Sequence, residues 1–88
     1  MKVANLFDDT DVKLTIAKAE KRAEERLANL TNSQRAILPL LCDGLLNKQA
    51  ASALGISQRT IENQRAEIMR RTECKTFSQL VRLYALAG

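Results

Sequence analysis

Arg59, Glu62 and Asn63 stand three and four positions apart, with Ala66 completing the same helical face. The guanidinium offers a fork of donors, the carboxylate only accepts, and the amide does both. Such groups can read base edges: arginine on guanine O6 and N7, glutamate on cytosine N4, asparagine on adenine. Ser57 and Thr60 open the same segment and join this DNA-facing set, since the first turn of a helix has free backbone donors that favour an anion. Catalytic chemistry is not legible. There is no histidine, no glycine-rich phosphate loop and no nucleophile beside a base, so no enzymatic role and no cofactor are expected.

These side chains need a helix that offers one side to a duplex, and residues 51–61 (Ala-Ser-Ala-Leu-Gly-Ile-Ser-Gln-Arg-Thr-Ile) encode it. Leu54 closes an apolar stripe, and Gly55 falls where a left-handed helix end needs a residue without a Cβ. Ile56 is expected to plug between two helices, and Ser57 to cap the second with its hydroxyl. This is the bend by which a helix-turn-helix presents its second helix to the major groove. The recognition helix is predicted over about residues 58–72, with Ile61, Ile68, Met69 and the stem of Arg65 facing inward.

The remaining elements also read as helices. Asp9 or Asp11 can cap one running to about Asn29, with a narrow stripe at Val12, Ile16, Ala19, Ala23, Leu27 and Leu30. Thr31 to Gln34 form a capping box that opens a helix to Asp43, ended by Gly44 and carrying Pro39, where a kink is expected. Asn47 is expected to cap a short helix that buries Ala50, Ala51 and Leu54. Thr76 to Gln79 open a last helix with two stripes: Phe77, Leu80, Val81 and Tyr84, then Leu83, Leu86 and Ala87. With nothing evident to cover the second stripe, Leu83, Leu86 and Ala87 are predicted to form a dimerisation surface.

The formal net charge of +4 is unevenly placed: residues 1–30 hold six basic and six acidic side chains, residues 31–88 eight and four. The whole excess sits with the helix-turn-helix, as a polyanion partner requires. Eighty-eight residues bound a small domain, for which dimerisation adds burial. Cys42 and Cys74 are too few for a disulfide framework, and without histidine they make no ordinary zinc site. Cys42 reads as core filling, whereas Cys74 falls in a connecting turn. No membrane span or signal peptide is legible, so a cytoplasmic protein is expected.

From Leu30 to Leu83 the chain resembles the LuxR/FixJ-type (GerE-like) DNA-binding domain. The run is Leu30-Thr31, Ile37-Leu38, Leu40-Leu41, Gly44-Leu45, Asn47-Lys48, Ala51, Leu54 to Ser57, Thr60-Ile61, Asn63, Arg65, Ile68 to Arg70 and Leu80 to Leu83. Arg59 to Glu62 with Arg65-Ala66 is similar to the FixJ branch of response regulators. Leu6 to Asp9, followed by an Ala/Arg/Glu-rich helix, resembles the end of a receiver domain and its linker. The resemblance implies an all-α fold: a four-helix LuxR-type domain over 31–88, preceded by one linker helix within 1–30. It implies that Lys48, Thr60 and Arg65 hold phosphates while Arg59, Glu62 and Asn63 face bases. Arg70 and Arg71 either touch phosphates or complement the helix dipole. The pattern is broken at Leu46, at Pro39, at Gln64 where histidine is common, and at Thr72-Glu73-Cys74, which replace an apolar–glycine–apolar turn.

The function expected is a sequence-specific transcription regulator in a two-component system. Its partners would be double-stranded DNA, bound as a homodimer through the C-terminal helix, and RNA polymerase or a full-length regulator. Two alternatives stay open: a receiver-less interaction module that blocks full-length regulators, and a sigma-factor-like promoter-recognition piece.

Overall fold

Apolar residues recurring every three or four positions, punctuated by capping residues and glycines, give five helices in the structure, a computed structural model that describes residues 9–87. They are α1 (Asp9–Leu27), α2 (Asn32–Cys42), α3 (Asn47–Leu54), α4 (Gln58–Arg71) and α5 (Phe77–Ala87), with no strand among the described residues. Leu6, Phe7 and Asp8, part of the receiver-end resemblance, lie outside them.

Helix α2 opens at the expected capping box, where Thr31 Oγ1 accepts from Gln34 N at 3.2 Å and Gln34 Oε1 accepts from Thr31 N at 3.0 Å. It continues through Pro39 to Cys42, and Gly44 follows with φ 91°. Gly55 ends α3 in the left-handed region at φ 67°, as its place in the bend requires. Thr76 caps α5 by accepting from Gln79 N at 3.1 Å, but the Gln79 side chain reaches back one residue further, accepting from Lys75 N at 2.7 Å.

Ile37, Leu38, Leu41, Ala50, Ile61, Ile68 and Leu80 fill one core between α2, α3, α4 and α5. Ala23 belongs to that core too, because α1 lies along α5, and so does Leu30 in the turn after α1. This corrects the expectation that the second stripe of α5 lacks a cover. The small side chain of Ala23 lets the helices approach, and Leu83 is only 5% exposed. Leu86 alone of that stripe counts as a large exposed apolar residue, while Ala87 packs partly against the core. Towards its start α1 leaves Val12, Leu14 and Ile16 exposed, and the molecule is long, 58 × 21 × 19 Å.

Two capping expectations are also corrected. Asp11 lies inside α1, which begins at Asp9, and its carbonyl accepts from Thr15 Oγ1 at 2.8 Å. Leu46, not Asn47, occupies the cap of α3, because Gln49 Oε1 accepts from Leu46 N at 2.9 Å and sets the helix start there. Asn47 falls one residue inside, with its Oδ1 buried and without a hydrogen-bond partner among the described residues.

Candidate nucleic-acid interface

Helix α4 is fixed at its start by Ser57, whose Oγ accepts from Thr60 N at 3.0 Å and shares a second hydrogen bond with Thr60 Oγ1 at 2.8 Å. The N–H groups of Gln58 and Arg59 have no intrahelical acceptor, and the positive end of the helix dipole lies there. Ile61 and Ile68 are wholly buried and lock one side of α4 onto the core. The other side is exposed: the Arg59 side chain is 81% accessible, and its guanidinium stands 4.0 Å from the Glu62 carboxylate. Asn63 and Ala66 are exposed with them. An ion pair this open adds little stability and leaves both groups able to meet other partners.

Lys48 is exposed near the start of α3, which packs against α4. Arg65 is half-buried, its guanidinium carbon 4.2 Å from the centre of the Phe77 ring, a cation–π contact that fixes it on the flank of α4. Arg70 sits at the far end, about 16 Å along the helix from Arg59 at the usual rise per residue. Its guanidinium forks onto Glu67, Nε to Oε2 at 3.1 Å with Nη2 on Oε1, and Arg71 Nε donates to the same Oε1 at 2.9 Å. The hydrogen bonds from Arg70 and then Arg71 lower the Glu67 carboxyl to about 2. The bonds back from Glu67 raise the pKa of Arg70 in turn.

The structure thus brings Arg59, Thr60, Glu62 and Asn63 together on the first two turns of α4, with Ser57 as its cap. Arg65 lies on the flank, Lys48 on the neighbouring helix, and Arg70 is committed in part to Glu67. The burial expected of Leu54 and the plugging role expected of Ile56 are corrected: they remain 37% and 38% exposed, since Ala50, Ala51 and Ile61 already fill the crossing of α3 and α4.

Three positioning contacts escaped the sequence. Gln34, only 3% exposed, donates from Nε2 to Gln64 Oε1 at 3.1 Å and ties α2 to the middle of α4. The departure at Gln64 was its one visible sign. Arg26 Nε donates to the Thr72 carbonyl at 2.7 Å, and Arg71 Nη1 donates to the Asn29 carbonyl at 3.2 Å, pinning the end of α1 to the end of α4. Nothing in the spacing of Arg26 marks that contact. The turn beneath it buries Cys74, whose N–H donates to the Met69 carbonyl at 3.0 Å, so Cys74 is a core residue rather than an open thiol. Cys42 is half-buried, and burial, reinforced by Asp43, raises its thiol pKa.

The model of the luxR family of bacterial regulatory proteins matches residues 28–84. The transcriptional regulatory protein FixJ of Azorhizobium caulinodans is 40% identical over 70 residues, covering 80% of this chain and 33% of its own length. FixJ of Rhizobium meliloti is 43% identical over 63 residues, covering 72% and 30%. The DNA-binding transcriptional activator DevR/DosR of Mycobacterium tuberculosis is 30% identical over 82 residues, covering 84% and 38%. The crystal structure of full-length FixJ from B. japonicum superposes with a TM-score of 0.71 at 34% identity, over 93% of this chain and 47% of that one. The chain spans about a third of the length of these curated relatives.

Proposed function

The chain belongs to the luxR family of bacterial regulatory proteins, and from that membership we propose that it is a transcription regulator that reads double-stranded DNA with α4 in the major groove. One observation carries the proposal. Ile61 and Ile68 anchor one side of α4 in the core, while Arg59, Glu62 and Asn63 stand exposed on its first two turns. Arg59 reads guanine, Asn63 reads adenine, and Glu62 selects cytosine while repelling a misplaced phosphate. Lys48, Thr60, Arg65 and the free donors after Ser57 hold the phosphates that set the register. Arg70 adds a phosphate contact only by giving up part of its fork on Glu67. Residues 1–30 serve as the connecting segment and 31–88 as the DNA-binding domain.

In this reading two copies bind a two-fold site with half-sites about 10 bp apart, and α5 contributes to their contact through Leu86, backed by Leu83 and Ala87. Equilibrium binding to specific and random duplexes tests the division of labour. Arg59→Ala is expected to cost about 1–3 kcal/mol on the specific site and relax one base position. Lys48→Ala weakens both duplexes alike. Equal losses on both duplexes for both variants contradict the assignment.

The exposed Val12 and Ile16 favour a second reading, in which α1 docks on another protein and DNA contact is secondary. A mobility shift with the purified chain separates the two. Salt-sensitive binding to one sequence supports the regulator, and its absence supports the interaction module.

A further inference from the structure

We infer that the basic cleft between the end of α1 and the start of α5 docks an acidic segment of another protein, one carrying two carboxylates about a heptad apart with an apolar residue between them. The inference goes beyond the DNA reading and uses none of the residues assigned to it.

The cleft has a volume of about 470 Å³ and is walled by Arg26, Lys75, Arg82 and Leu86, with Leu83 as its floor and Glu73 as its one acid. Among the described residues no carboxylate pairs with any of the three cations. Arg26 is held in place: its Nε donates to the Thr72 carbonyl at 2.7 Å and its Nη2 reaches Cys74 Sγ at 3.8 Å. That leaves Nη1 of a fixed fork for a carboxylate, the anion whose geometry a guanidinium matches. Lys75 N donates to Gln79 Oε1 at 2.7 Å, which folds the chain just before α5 onto the face that carries Gln79. Gln79, Arg82 and Leu86 then follow at steps of three and four along that face. Lys75 and Arg82 thus stand seven residues apart, about 10 Å at the helical rise, and a second helix repeats a residue on one side at the same interval. Leu86 also borders the contact proposed between copies, so the footprint is placed on Lys75, Gln79 and Arg82, toward the start of α5.

Charge complementarity selects the occupant, and this chain does not supply it. Helix α1 holds five acidic and five basic residues, with Lys13 and Lys18 close behind Asp9 and Asp11. Each of the other four helices carries more basic than acidic residues. A second copy therefore offers no acidic helix, and the complement belongs to a different protein. DNA fits the cleft less well. The cleft opens about 20 Å along α4 from Arg59, whereas the major groove is about 12 Å wide, so a duplex read at Arg59 leaves the cleft free. The leucines at its floor and rim favour carboxylates with an apolar neighbour, and Glu73 opposes a continuous run of phosphates.

Fluorescence anisotropy with the full chain tests the docking, the probe being a labelled helical peptide with two glutamates a heptad apart and a leucine between them. The peptide is expected to bind, more weakly as salt rises. Lys75→Glu and Arg82→Glu, both at exposed positions and checked by circular dichroism for intact helices, each weaken binding about tenfold or more. A peptide with one glutamate replaced by lysine binds Arg82→Glu more tightly than the original peptide does. An excess of random duplex leaves the peptide in place, because the two sites lie further apart than the Debye length of about 8 Å at physiological salt. No binding by the native chain, or equal affinity for the native chain and both variants, overturns the docking. Displacement of the peptide by the duplex overturns it too and assigns the cleft to phosphates.

Discussion

Glu73 holds a φ of 60°, in the left-handed region, directly after α4. A residue with a Cβ pays about 1–2 kcal/mol there, whereas glycine adopts it freely but loses more chain entropy. Glu73→Gly is therefore expected to stabilise the protein by up to about 1 kcal/mol, read as a higher midpoint in urea; a lower midpoint contradicts the strain. Glu67 gives a second residue-scale test. Its carboxyl falls from 4.5 to about 2 on folding through hydrogen bonds from Arg70 and Arg71. The unfolded state thus binds more protons between those values, so the stabilisation is present above pH 4.5 and lost as pH falls toward 2. Glu67→Gln should flatten this acid limb in thermal melts, and an unchanged slope contradicts the pairing. That Arg59, Glu62 and Asn63 share one exposed face of α4 was legible from residue type and helical spacing, since an exposed face needs no knowledge of distant partners. Arg26 and Gln34 were not, because their partners lie 46 and 30 positions away.

Helices α2, α4 and α5 start where a side chain satisfies free N–H groups, which made Thr31, Ser57 and Thr76 readable in advance. Leu46 breaks that rule. It occupies a cap position with extended backbone, φ −68° and ψ 155°, yet its side chain has nothing to accept with and is exposed. Only the return half of a capping box is present there, from Gln49. Leu46→Ser supplies the missing acceptor and is expected to stabilise by about 1 kcal/mol, measured by denaturant unfolding. No gain would show that Gln49 alone completes the cap. The sequence also misjudged which residues fill the helix crossing. Alanines at 50 and 51 close the gap between α3 and α4, and that closeness leaves Leu54 and Ile56 at the edge.

At the scale of the molecule, the pattern within each helix was legible but the pairing of α1 with α5 was not. A stripe of alanines and leucines fits several neighbours equally well, and the ties that select α5, from Arg26 and Arg71, are side chain to backbone. Those ties make the end of α1 part of the body that positions α4, while the start of α1 reaches beyond it. In the proposed reading this body holds α4 so that Arg59 and its neighbours read base pairs. Selection of preferred duplexes from a random pool, run in parallel with the native chain and with Arg59→Ala, tests it most directly. One enriched sequence with half-sites about 10 bp apart is expected, and a variant that loses its preference at one base pair in each half. No enrichment, or the same preferred sequence from both proteins, would contradict it.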